Sequence, residues 1–86
     1  MTHIQQWATS SENRPIGLYH SDDFAWTEVA RPILFIGGVH GDEPEGVALA
    51  EGLLEWLKQS EKQHPSPVKV PWVLIPCLNP DGYLQN

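Results

Sequence analysis

The sequence predicts an α/β fold with an antiparallel addition at its front, and three features carry that prediction. The continuous apolar run Ile33-Leu34-Phe35-Ile36, closed by Gly37-Gly38, reads as a strand buried on both faces. Apolar residues at 47, 50, 53, 54 and 57 then form a helical stripe. A second apolar stretch, Val68 to Cys77, returns to strand. Strand, helix and strand in roughly 45 residues make a βαβ unit, whose two strands should be parallel with a right-handed crossover.

Taken in order, Arg14 to His20 alternates apolar and polar positions and reads as an edge strand with Pro15 near its start. Ser21-Asp22-Asp23 is turn chemistry, and Phe24 to Val29 alternates weakly as a further strand. Pro32 introduces the first parallel strand. The helix should run from Glu45 to Gln59, with Glu51, Glu55 and Lys58 facing away from the core. Asp42 is placed to cap it, with Glu45 as capping-box partner and Pro44 in the first turn. Gln63-His64-Pro65-Ser66-Pro67 is a connection between elements, and no repeat or interdomain linker interrupts the chain.

Composition narrows the function classes. With 86 residues the chain forms one domain at most, and its single cysteine excludes an internal disulfide framework. A net charge of −6 with five scattered Lys and Arg argues against nucleic acid, whose phosphates need clustered cations. No apolar run approaches the roughly 20 residues of a membrane span. No basic segment followed by an apolar one marks a secretory signal at Met1–Trp7, so a soluble cytoplasmic chain is expected.

In parallel α/β units ligands bind beyond the carboxyl ends of the strands. Two segments should emerge there together: Gly37-Gly38-Val39-His40-Gly41-Asp42-Glu43 and Asn79-Pro80-Asp81-Gly82. His40 and Glu43, three apart where strand becomes helix, can aim an imidazole nitrogen and a carboxylate oxygen at one point, a zinc-compatible pair. Gly38 and Gly41 leave room for the backbone to bend and a substrate to approach. Helix capping accounts for Asp42, Pro44 and Glu45 but not for His40 or Glu43. On spacing alone, a polar helix start without metal stays the open alternative. The glycines also suggest a phosphate loop, but no Lys follows them and Asp42, Glu43 and Glu45 would repel phosphate.

The remaining candidates read as structural. A helix of about 15 residues is roughly 22 Å long, which puts His64 near the opposite edge of the sheet from His40. His3 and His20 are surface or edge histidines. Cys77, in an apolar strand without a basic neighbour, is a small hydrophobe rather than a nucleophile. Asn79-Pro80-Asp81-Gly82 by itself is turn punctuation, and the four tryptophans imply no stacking ladder.

The run Ile36 to Gly46, followed at the end of the next strand by Asn79-Pro80-Asp81-Gly82, resembles the zinc carboxypeptidase family, and within it the bacterial murein-peptide amidase (γ-D-glutamyl-diaminopimelate amidase) branch most closely. Upstream, Ser10 to Ile16 is similar to that branch's Ser-x-x-Gly-Arg-Pro-Ile segment, with Asn13 where Gly is usual. The resemblance implies a metallocarboxypeptidase-like (phosphorylase/hydrolase-like) architecture. It also implies a catalytic Zn2+ held by His40, Glu43 and a histidine roughly a hundred residues further on. A Glu expected beyond Asn86 would be the general base, a downstream Arg would steady the oxyanion, and an Asn-Arg pair would grip the substrate's carboxylate. The implied substrate is a peptide, with a murein tripeptide for the amidase branch.

None of those downstream residues lies between Met1 and Asn86, so no catalytic residue other than the metal ligands is assigned within the chain. Residues 1–86 are expected to be the N-terminal portion of a single catalytic domain, inactive alone and partnered by the rest of that domain. A succinylglutamate desuccinylase or aspartoacylase-type deacylase shares the His-x-x-Glu site and is the alternative enzyme. A non-catalytic binding module, in which His40 and Glu43 merely begin a helix, is the alternative from another class.

Overall fold

One mixed sheet organises the chain, and a computed structural model describes it for residues 1–27 and 31–84. The elements are β1 (Thr2–Thr9), β2 (Pro15–His20), β3 (Ile33–Ile36), α1 (Pro44–Glu61), β4 (Trp72–Ile75) and α2 (Pro80–Leu84). The strands lie in the order β1-β2-β4-β3. β1 and β2 pair antiparallel, β2 and β4 antiparallel, and β3 and β4 parallel, so the expected βαβ unit and its antiparallel front are both present.

β1 is an element that the sequence reading does not predict. Its core-facing residues are Ile4, opposite Leu18, and Ala8, opposite Ile16, with a register irregularity between them. That break removes the period-2 alternation by which strands are recognised. With β1 on one side and β4 on the other, β2 is an interior strand, not the expected edge. Pro15 is tolerated as the first residue of the strand, where a missing amide donor matters least.

The expectation that Ile33–Ile36 is buried on both faces is corrected. Ile33, Leu34 and Ile36 are 47, 55 and 44% exposed, and the strand buried on both faces is β4. β4 has neighbours along both edges, whereas β3 pairs with β4 alone among the described residues. Trp72 and Leu74 pack with Leu54 and Leu57 of α1 on one face of the sheet. Val73 and Ile75 pack with Ile16 and Leu18 on the other. β4 is also shorter than the apolar stretch from Val68 to Cys77, because Pro71 and Pro76 flank it and neither can donate to a ladder.

α1 buries Val47, Ala50, Leu54, Leu57 and Ser60, which matches the predicted stripe extended by one turn, with Leu53 half-buried. Its cap differs from the expectation: the N-cap is Glu43, not Asp42, and Pro44 occupies the first helical position. A residue before proline is pushed out of the helical region, so Pro44 makes Glu43 the boundary. Phe24–Thr27 is irregular rather than strand, its turn closed by the Phe24 amide donating to the Ser21 carbonyl at 3.1 Å. Phe24 and Trp26 pack edge to face, 4.8 Å apart. The rest of that expected strand, Glu28 and Val29, lies outside the described residues.

Candidate metal centre

Because β3 and β4 run parallel, their carboxyl ends open on the same edge, and hydrogen bonds continue beyond the strands to tie the two following loops together. The Gly37 amide donates to the Ile75 carbonyl at 2.8 Å, and the Leu78 and Asn79 amides donate to the Gly37 and Gly38 carbonyls at 2.9 Å each. Gly38 sits at φ +63, and a Cβ there would lie 2.9 Å from the Cys77 Cα, so both backbone conformation and space require glycine. Gly41 rests directly on the second loop: a Cβ would stand 2.5 Å from the Cα and carbonyl carbon of Gly82. The flexibility expected of these glycines is thus used for close loop-to-loop contact.

Between Gly38 and the helix, the Glu43 amide donates to the His40 carbonyl at 3.0 Å and closes a turn. His40 and Glu43 line one pocket of about 180 Å³ together with Ile36, Gly37, Gly38, Val39 and Gly46. Both side chains are exposed. Glu43 makes no side-chain cap hydrogen bond, so its carboxylate is not engaged in closing the helix. The macrodipole of α1 places positive potential at this end. One imidazole and one carboxylate in a shared pocket fit the donor chemistry of a zinc ligand pair. Among the described residues no group of three or more His, Cys, Asp and Glu could hold a metal ion, so the fit is to part of a site. Asn86, the position beyond which the general base is expected, lies outside the described residues together with Gln85.

The other histidines sit elsewhere. His3 stacks on Tyr19 across β1 and β2, ring centroids 4.1 Å apart. The His20 ring shares a hydrogen bond at 2.8 Å between Nδ1 and the Ser21 carbonyl. His64 lines a separate pocket with Ser21, Asp22, Glu61 and Trp72, at the start of β4 and away from the His40 loop. Cys77 lies just past β4 rather than in it and is half-buried, and burial pushes its thiol pKa up.

Asp81 is the residue that sequence reasoning missed. Expected as turn punctuation, it is buried at the start of α2 and accepts hydrogen bonds from the turn joining β1 to β2. Ser10 Oγ donates to it at 2.7 Å, Arg14 Nη1 at 3.0 Å, the Glu12 amide at 3.2 Å and Ser11 Oγ at 3.3 Å. The Ser10 hydrogen bond, supported by Arg14 and the Glu12 amide, holds the Asp81 carboxyl below the usual aspartate range against the opposing effect of burial. The donating turn is shaped by Asn13 at φ +64, the left-handed region that Asn and Gly tolerate best, and this explains Asn at a position where Gly would also serve. Asn79 Oδ1 accepts from the Gly82 amide at 3.0 Å and fixes the other side of the same loop. The available signal was the cluster of two hydroxyls and a guanidinium between residues 10 and 14, which lacks an apolar role.

Comparison with known proteins adds to this geometry. Residues 1–85 match the family model described as zinc carboxypeptidase (peptidase M14). Carboxypeptidase B of Helicoverpa zea is 32% identical over 80 residues, covering 88% of this chain and 18% of that protein. The chain therefore spans less than a fifth of the length of this curated relative. No solved structure matches it. Among the described residues no helix is long and apolar enough to cross a membrane.

Proposed function

This chain belongs to the zinc carboxypeptidase family, and on that premise we propose that it is the N-terminal part of the catalytic domain of a zinc-dependent metallopeptidase. The substrate is a peptide or amide bond near a free carboxylate, in murein peptides by the resemblance of its motifs. The observation that supports this reading is the shared pocket of His40 and Glu43 at the carboxyl edge of two parallel strands.

His40 and Glu43 would hold the metal. When bound, zinc supplies a polarised water and a polarised scissile carbonyl. The chain's own contribution is positional. The Glu43–His40 turn presents both donors from one loop, and the hydrogen bonds of Leu78 and Asn79 to Gly37 and Gly38 brace that loop against the end of β4. On this reading the third ligand, the general base and the carboxylate-binding residues are supplied by other parts of the catalytic domain. Among the described residues β3 pairs only with β4 and leaves Ile33, Leu34 and Ile36 exposed, which on this reading suits it to accept further strands of the domain.

Hydrolysis assays on the full-length protein test the reading. Release of diaminopimelate from a murein tripeptide, abolished by His40→Ala, is the expected result. Turnover of N-acyl amino acids without peptide hydrolysis would replace it with the deacylase alternative, which the Asn79–Gly82 motif disfavours.

A further inference from the structure

We propose that Asp81 is a positioning residue for the metal-binding loop, held by Ser10 and Arg14 and acting on His40 and Glu43 through the contact of Gly82 with Gly41. The inference rests on the reading of His40 and Glu43 as zinc ligands and adds to it a lock drawn from a distant turn.

The lock has three consecutive parts. First, four donors from residues 10–14 converge on the two carboxylate oxygens of Asp81. Ser10 and Arg14 bond Oδ1, and Ser11 and the Glu12 amide bond Oδ2. Ser10 Oγ also accepts from the Arg14 amide at 2.9 Å, so the turn and its acceptor are cross-braced. An isolated surface ion pair contributes little, but a buried carboxylate with both oxygens bonded has one preferred position. Second, Asp81 is directly followed by Gly82, whose backbone is the surface against which Gly41 lies. Third, Gly41 adjoins His40 and is two residues from Glu43. A displacement of Asp81 therefore moves the floor under the ligand-bearing turn. Residues that orient ligands from outside the coordination sphere typically alter metal affinity by about 10- to 100-fold.

The test is zinc affinity of the full-length protein, measured by competition with a chromophoric chelator, beside the visible spectrum of the cobalt(II)-substituted protein. Asp81→Asn keeps the shape of the side chain but replaces one acceptor oxygen by a donor. It is expected to weaken zinc binding by about tenfold and to change the cobalt spectrum. Ser10→Ala removes the shortest of the bonds, produces a smaller loss in the same direction, and decides the matter should Asp81→Asn not fold by circular dichroism. A lowered thermal midpoint with wild-type zinc affinity and an unchanged cobalt spectrum would reduce Asp81 to a structural residue and overturn the lock. His40→Ala separates the two claims. If it is weakened while Asp81→Asn binds normally, the lock fails and the ligand reading stands. If both bind zinc as the wild type does, the ligand reading fails and the lock with it.

Discussion

Replacing Gly41 by alanine adds one methyl group at the tightest point between the two loops. That methyl would meet the Cα and carbonyl carbon of Gly82 at 2.5 Å and the Tyr83 amide nitrogen at 2.6 Å. All three are backbone atoms, so no side chain can rotate away, and the loops must part by roughly 0.9 Å to reach ordinary contact at 3.4 Å. Overpacking of this kind costs about 1–3 kcal/mol. Restricting the unfolded chain offsets about 0.4–1 kcal/mol of that, leaving a net destabilisation of up to about 2.6 kcal/mol. A displacement near 1 Å at a reacting centre is enough to lower turnover by about 100-fold. Gly52→Ala is the matched control: no atom lies within 4 Å of its added methyl, and it sits on the exposed side of α1. Removing a helical glycine there should stabilise by about 0.5–1 kcal/mol. Urea denaturation of both variants in the full-length protein, at unchanged slope, reads the difference. Equal midpoints for the two variants would refute the steric argument.

Three further outcomes follow from the packing and the charges. Leu74→Ala empties a fully buried position between the sheet and α1, and should cost about 2–5 kcal/mol in the same denaturation experiment. Asn13→Ala forces a β-carbon residue without a local hydrogen-bonding side chain into φ +64, and should destabilise by about 1 kcal/mol, while Asn13→Gly should be tolerated; calorimetry distinguishes them. Asp81 has a depressed pKa in the folded chain, so its contribution is fully present above the ordinary aspartate pKa and is lost as pH falls through the folded value. Stability curves from pH 7 downward should therefore be flatter in Asp81→Asn than in the wild type below about pH 4, and parallel curves would count against the assignment.

Which parts of this structure were legible in the sequence depends on how local their causes are. α1 was readable because Val47, Ala50, Leu54 and Leu57 repeat within its own turns. β4 was readable from an apolar run, and its limits could have been read from Pro71 and Pro76. At the cap two local signals compete, the capping chemistry of Asp42 and the restriction that Pro44 places on Glu43, and the second sets the boundary. β1 is not legible because the irregularity between Ile4 and Ala8 interrupts its alternation. The burial of β4 rather than β3 is not legible, because an apolar tetrapeptide does not reveal how many neighbours its strand has. At the site, the His40 and Glu43 pair was visible from its spacing and its place after a strand. The role of Asp81 was not, since its partners Ser10 and Arg14 lie 71 and 67 residues away in sequence and meet it only through the sheet.

The central claim is that His40 and Glu43 are zinc ligands, and metal content tests it most directly. The full-length protein, purified without added metal and assayed by atomic absorption, should carry stoichiometric zinc, and His40→Ala and Glu43→Ala should each lose it while retaining the wild-type circular dichroism spectrum. Full zinc content in both variants would contradict the account.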